Sequence, residues 1–396
     1  MVASRPRDSR KSSNTRSKKS SEKQNRSKNS SSTVYVGNLD ATFLICTVIL
    51  VLFGIVMVFS ASYYNAFHNS NDRFRYLINQ SVSALVGAAA LIFLANVNYR
   101  YFKRFTTLIY LGTLALLALV PFIGHEHGGA VRWITLFGVT FQPSELAKVA
   151  LILKLSALIS NKKNLLHTFR GTMQALLVVG LPVGLIAISN FSTALIVAVI
   201  GMGMIFIASP YTLIFFTLAG TGAASITAYL AFFSDGFRGA RFAAWLRPFD
   251  YRLETGFQTV QSLYAIGSGG LFGLGIGQSR QKLGFIPEAH NDIIFSVIVE
   301  ELGIIGGGLL IFLFGVIIWR AITIAIKTDS LYGSLIATGI AIMLGVQIII
   351  NIAVVTNTIP NTGIQLPFIS YGGTSLLISM ASAGLLLNIS RYSKML

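Results

Sequence analysis

Residues 293–319 read IIFSVIVEELGIIGGGLLIFLFGVIIW, and apart from Glu300 and Glu301 nothing in this run is charged. At 1.5 Å per residue, a helix of that length reaches about 40 Å, more than the roughly 30 Å hydrocarbon core of a bilayer. Runs of the same kind recur near 41–62, 76–97, 105–123, 143–160, 172–189, 193–208, 211–233, 334–355 and 374–390. The sequence therefore predicts an all-α integral membrane protein of about ten transmembrane helices. A long loop, 234–292, separates spans seven and eight. Composition agrees: 53% of the 396 residues are hydrophobic and 11% charged, with a mean hydropathy of +0.68. A soluble domain carries about 25% charged residues, so a soluble globular protein is excluded.

The net charge of +17 is uneven, because residues 1–40 alone hold 10 basic and 3 acidic groups. That Ser-, Lys- and Arg-rich segment has too little apolar surface to offset its ordering entropy, and it is read as a disordered basic tail ahead of a membrane domain at 41–396. A polybasic stretch just before a span attracts anionic lipid and fixes orientation more often than it binds nucleic acid, and no nucleic-acid partner is expected. The tail is too long for a signal-peptide n-region, so the first span is expected to be retained. With an even number of spans both termini share one side with Arg100, Lys103, Arg104, Lys162, Lys163, Arg170, Arg320, Lys327, Arg391 and Lys394. By the positive-inside rule that side is cytoplasmic, and the 234–292 loop lies outside. The single cysteine, Cys46, sits in an apolar run and excludes a disulfide framework.

Charge at lipid depth is costly, so each intramembrane ionisable group needs a reason. In FQPSELAK, residues 141–148, Pro143 fits the first turn of a helix, and Glu145 and Lys148 then share one face, either as an interfacial ion pair or as part of a site with the nearby Arg132. Lys154, nearer the other end, can snorkel. The outer loop carries Arg247 among aromatic residues, an arrangement suited to phosphate oxygens, followed by Gln261 and Ser262. The Gly-rich run 267–277 fits no nucleotide-loop spacing and is expected to be flexible or re-entrant. Next come Lys282, Glu288, His290 and Asp292; the last stands where a carboxylate loses water, as a usable base or a plain helix cap. His125-Glu126-His127 is read as solvated rather than as a metal site. The Pro- and Gly-broken segment 356–375, with Ser370, should fold over the bundle and line a pocket, since irregular backbone at that depth needs protein to satisfy it. Arg247, Gln261, Ser262, Lys282, Glu288 and Ser370 are the candidates for substrate contact.

The motifs FQPSELAK, GFQTVQSLYAIGSGGLFGLGIGQSRQKLGFIPEAHND, EELG and LPFISYGGTS occur in order. Together they resemble the SEDS family of bacterial cell-wall polymerases over residues 40–390. SRQKLGFIPEAHND is more similar to the FtsW division branch, or its sporulation relative, than to the RodA elongation branch. Asn291 departs from the Thr that commonly precedes the motif Asp. The resemblance implies peptidoglycan glycosyltransferase activity on lipid II, releasing undecaprenyl pyrophosphate at the outer face of the cytoplasmic membrane, at the division septum. It implies a class B penicillin-binding protein and other divisome membrane proteins as partners. It also makes Asp292 the catalytic Asp, places Arg132, Glu145 and Lys148 among the polar residues needed for activity, and puts Glu288 on the motif Glu. Divalent metal dependence is a family association, with Mg or Mn as the ion and Glu145 and Asp292 as candidate ligands; the sequence holds no metal signature of its own.

This chemistry suits the residues. Glycosyl transfer from a lipid-linked pyrophosphate needs a base for the incoming hydroxyl and positive charge for the departing pyrophosphate. Asp292 is then the base, Lys148 and Arg132 the stabilisers, and Glu145 the orienter of Lys148 or a metal ligand. Two other classes fit the same pattern: a lipid II flippase, which would need polar contacts on both leaflets, and a non-catalytic division scaffold.

Overall fold

The computed structural model describes residues 39–70, 72–127, 130–136, 139–162, 164–211 and 237–393. The basic tail to residue 38 and all but the first residue of the expected seventh span lie outside the described residues. Helices α1 (Ala41–Ser70), α2 (Arg75–Asn96) and α3 (Phe102–Ile123) lead to three short strands, β1 (His125–His127), β2 (Ala130–Leu136) and β3 (Val139–Phe141). Then come α4 (Pro143–Asn161), α5 (Phe169–Ser189), α6 (Phe191–Ala208), α7 (Phe237–Leu246), α8 (Phe257–Ser268), α9 (Ile294–Lys327), α10 (Leu331–Val355) and α11 (Gly373–Arg391). Among the described residues eight stretches, α1, α2, α3 with the 3-10 turn before it, α5, α6, α9, α10 and α11, are long and apolar enough to cross a membrane by length and composition. The protein is a mostly helical, multi-pass membrane protein.

α4 is long enough to be a ninth span but carries Glu145, Lys148 and Lys154. Its position explains how the charges are tolerated. It packs against α3, α5, α6, α10 and α11, so Ala147, Lys148, Leu151, Ile152 and Leu155 are all buried in protein rather than lipid. Lys154, expected to snorkel, donates to Thr107 Oγ1 on α3 at 2.9 Å, an exposed interhelical bond.

The sequence reading missed the small sheet. β1 pairs antiparallel with β2 and β2 with β3, with Ile134 opposite Phe141. The alternation in VRWITL carries the strand signal, which is easily lost between two spans. Ile134 is fully buried, so the sheet is pinned over the end of the bundle where α4 begins.

α9 departs most from a plain span. It is broken at Gly303, whose φ of 72° and ψ of −177° are not helical. A break frees backbone groups that a lipid environment cannot satisfy. Here the Gly-rich run after α8 supplies the partners. Leu274 N donates to Glu300 O at 2.9 Å and Gly275 N to Glu301 O at 2.9 Å, while Ile304 N donates to Gly270 O at 2.9 Å and Ile305 N to Leu271 O at 3.2 Å. The run expected to be flexible or re-entrant is therefore bonded into the break. The approach is so close that a Cβ on Gly303 would fall 2.2 Å from Leu271 O, and one on Gly273 2.2 Å from Glu301 O. At the opposite end of the bundle Asp40, just before α1, holds Arg320 of α9 through Oδ2 at 2.7 Å from Nη2.

Gly303→Ala should lower the thermal midpoint of the detergent-solubilised protein by the equivalent of about 1 to 3 kcal/mol, from backbone strain alone. Gly308→Ala on the same helix, where an added methyl meets nothing within 4 Å, should leave it unchanged. Equal midpoints for the two variants would show that the loop does not hold the break.

Candidate functional site

A cavity of about 120 Å³ opens where the sheet, the first turn of α4 and the segment before α9 meet. It is lined by Arg132 and Trp133 of β2, Gln142, Glu145, Lys148, Asn190, Thr193, Ile196, Glu288, Asn291, Asp292, Gln347 and the stretch Gly363 to Gln365. Four residues read from the sequence as candidate catalytic groups, Asp292, Lys148, Glu145 and Arg132, thus share one space with Glu288, although they come from three separate parts of the chain.

Each is set by its local structure. Pro143 occupies the first turn of α4, which starts after Gln142 and puts Glu145 in that turn. A carboxylate is favoured there by the helix dipole. One turn on, Lys148 Nζ donates to Glu145 Oε1 at 2.7 Å, and Lys148 is only 1% exposed. Asn190 closes α5 and opens α6, where its Oδ1 accepts from Thr193 N at 3.1 Å. Glu288 adopts a left-handed backbone, φ 48°, unusual for a residue with a side chain. Its Oε2 accepts from Asn291 Nδ2 at 2.6 Å and its carbonyl from Asn291 N at 2.9 Å, closing a tight turn two residues before α9 is approached. Asn291, noted only as a departure from the motif, is the residue that holds this turn.

The electrostatics couple the segments. Burial pulls the Arg132 guanidinium below its ordinary pKa, and the carboxylates of Asp292 and Glu288 act against that fall. Gly363 passes beside them with φ +67°; a methyl placed on it would lie 3.7 Å from Asp292 Oδ2 and 4.0 Å from Arg132 Nη1. The broken segment 356–375 therefore lines the pocket, as its composition suggested.

His290 points elsewhere. It is 3% exposed, its ring lies 4.4 Å from that of Tyr76 and 5.2 Å from that of Tyr371, and burial pushes its pKa down to about 4. Its imidazole stays neutral in the interior and does not line the cavity.

The other expected substrate contacts fall outside the cavity. Arg247 is exposed, and Gln261 is half-buried on α8. Ser262 Oγ donates to Val355 O at 3.0 Å, tying α8 to α10. Ser370 Oγ accepts from Leu366 N at 2.8 Å and shapes its own turn. Lys282 is 4% exposed, with Nζ 2.6 Å from Glu301 Oε1 and 2.9 Å from Ser60 Oγ of α1. The bonds of Ser262, Ser370 and Lys282 are fold contacts, made by polar groups whose motif position gave no hint of which way they would face. The residues that sequence reasoning missed are Gln142, Asn190, Thr193 and Gln347. Gln347 had a readable signal, since it and Asn351 are the two amides, four apart, of an otherwise apolar span. It is 3% exposed, and among the described residues its Oε1 has no hydrogen-bond partner.

For a metal, the described residues contain no three His, Cys, Asp or Glu side chains placed closely enough to hold an ion together. His125 is exposed and pairs through its backbone in β1. Within the cavity Glu145 already faces Lys148. This donor set fits a Mg-like ion only of the kind held by one or two carboxylates and completed by substrate phosphates and water.

A family model described as cell cycle protein, covering FtsW, RodA and SpoVE, matches residues 40–395. The chain belongs to the FtsW/RodA/SpoVE family. It is 39% identical over 359 residues to stage V sporulation protein E of Bacillus subtilis, covering 90% of this chain and 98% of that protein. It is 40% identical over 361 residues to a probable peptidoglycan glycosyltransferase FtsW of Geobacter sp. (strain M18), covering 90% and 97%. Among solved structures, a chain of a peptidoglycan synthase complex that coordinates polymerization and crosslinking matches with a TM-score of 0.76 at 27% identity, covering 90% of this chain and 99% of that one. Thermus thermophilus RodA, a rod shape determining protein, matches with a TM-score of 0.64 at 28% identity, covering 89% and 97%. The family therefore accounts for the whole described membrane part.

Removing a cation from a buried pair leaves the partner charge uncompensated. Lys282→Met should cost about 3 to 5 kcal/mol in stability, and the double variant Lys282→Met/Glu301→Gln should regain most of it in the same thermal melt. A Lys282→Met protein as stable as wild type would free this lysine for a ligand role instead.

Proposed function

We propose that this chain is a peptidoglycan glycosyltransferase that polymerises lipid II at the outer face of the bacterial cytoplasmic membrane, during cell division. One observation carries the reading: a single small cavity joins the cations Arg132 and Lys148 to the carboxylates of Glu145, Glu288 and Asp292. The naming of FtsW relatives as probable peptidoglycan glycosyltransferases supports it.

In this mechanism Asp292 is the base. The acceptor hydroxyl passes its proton to the Asp292 carboxylate as its oxygen bonds to the anomeric carbon of the donor. The bond from that carbon to the pyrophosphate oxygen breaks, and its electron pair leaves on undecaprenyl pyrophosphate. Inversion follows when Asp292 directs the acceptor to the face opposite the leaving group, as inverting glycosidases direct water. Arg132 and Lys148 stabilise the charge gathering on the pyrophosphate, and Glu145 fixes the bearing of the Lys148 ammonium. A Mg or Mn ion, where one binds, would be held by Asp292 and Glu145 and would neutralise pyrophosphate charge. The polyprenyl tail stays in the bilayer. A class B penicillin-binding protein is the partner this reading implies, alongside other divisome proteins at the septum, and the likeness to a chain of a peptidoglycan synthase complex supports it.

Asp292→Asn keeps size and removes proton acceptance, so polymerisation of purified lipid II by the protein with its partner should fall by at least about 100-fold. Wild-type chain growth by the Asn variant would remove Asp292 as the base and make Glu288, on the same cavity wall, the next candidate; absence of chain growth by the wild-type protein would favour a transporter or a scaffold. The outer-face placement has its own test. Leu253, 85% exposed in the segment before α8, replaced by Cys should react with a membrane-impermeant maleimide in intact spheroplasts. Labelling only after permeabilisation would invert the topology.

A further inference from the structure

We propose that Asn351 is the positioning residue for Asp292: its side-chain amide ties together the two cavity walls that meet at the carboxylate. The inference rests on the assignment of Asp292 as base. Asn351 lies in α10, 1% exposed, one turn after the cavity residue Gln347. Its Nδ2 donates to Asp292 O at 2.7 Å and to Ile364 O at 2.7 Å. The orientation of the amide is settled by its surroundings, because a flipped side chain would set Oδ1 against two carbonyl oxygens.

These two acceptors belong to separate segments. Asp292 ends the turn-rich stretch before α9, and Ile364 lies in the irregular segment between α10 and α11. Both N–H groups of one buried amide are thus spent on holding the two together, while among the described residues Oδ1 has no partner. A free carbonyl in this interior would be costly, but any donor would cure that; what the single amide adds is a fixed separation. Pinning the Asp292 carbonyl fixes the backbone from which its carboxylate projects. Pinning Ile364 holds the preceding Gly363 beside Asp292 Oδ2 and Arg132 Nη1. Asn351 itself is not among the residues lining the cavity, so it acts through Asp292 and not on substrate.

The test measures lipid II polymerisation by the full chain with its partner, for Asn351→Ala and the near-isosteric Asn351→Leu, each alone and combined with Asp292→Asn. A displaced catalytic group costs on the order of tenfold to a hundredfold in turnover. Both single variants should therefore lose kcat by at least about tenfold while KM for lipid II moves by less than about threefold, and in the Asp292→Asn background neither should add more than about twofold, since the residues act as a unit. Wild-type kcat in either monodisperse single variant overturns the proposal. So does a loss that multiplies with that of Asp292→Asn, which would mean that Asn351 works through another group, or a loss of monodisperse protein in both single variants, which would make it a residue of the fold. The Asp292→Asn arm alone reports on the base: if that variant polymerises at the wild-type rate, the base assignment itself fails and the positioning role with it.

Discussion

Two adjacent carboxylates, Glu300 and Glu301, sit at the point where α9 breaks, and both are essentially without solvent exposure. Buried carboxylates are tolerated only when their lone pairs are filled. Glu300 accepts from the Ser279 hydroxyl, from Arg280 N at 2.9 Å and from Ser268 Oγ at 3.4 Å. Glu301 takes Ser60 Oγ at 2.7 Å and Lys282 Nζ at 2.6 Å. Ser60 lies on α1 and Ser268 closes α8, while the other donors lie on the segment between α8 and α9. The pair therefore gathers that segment onto the break, α1 braces it from the side, and the Gly-rich backbone completes the hydrogen bonds that Gly303 left open. Glu288, Asn291 and Asp292 stand at the far end of the segment so held.

A segment anchored at one end would still swing at the other. The far end is fixed by different means: Tyr371 N donates to His290 O at 2.9 Å, and Asn351 holds the Asp292 carbonyl. Ala289, His290 and Ile293 are buried around these bonds. The result is a carboxylate carried on backbone fixed from α10 and from the segment before α11, facing α4, whose own charges are locked by the Glu145–Lys148 pair. Preorganisation of this sort is what an electrostatic catalyst requires, since groups already in place need no reorganisation as charge moves.

The hydrophobic runs made the spans legible because lipid imposes a simple length and composition rule. α4 was legible through Pro143 and the spacing of Glu145 and Lys148, and Asp292 through its place at the head of a span. What could not be read was direction. Lys282 and Glu288 lie six positions apart in one motif, yet one turns inward to Glu301 and the other lines the cavity, a choice made by the turns between them. The sheet was missed because strands of three to seven residues carry too few alternations to stand out beside long apolar runs. The role of the glycines in 269–275 was hidden for a related reason: their partner, the break at Gly303, is visible only when both segments are seen together.

The cavity leaves open space among these charged groups. About 120 Å³ is well above the roughly 10 to 15 Å³ that a cavity needs to hold a water, so the carboxylates and cations are wettable as they stand. On the proposed mechanism this is the space in which the anomeric carbon, its leaving oxygen and the acceptor hydroxyl meet Asp292, Arg132 and Lys148. The charged residues would then carry the chemistry, while Trp133 and the stretch Gly363 to Gln365 belong to the uncharged part of the wall that surrounds them.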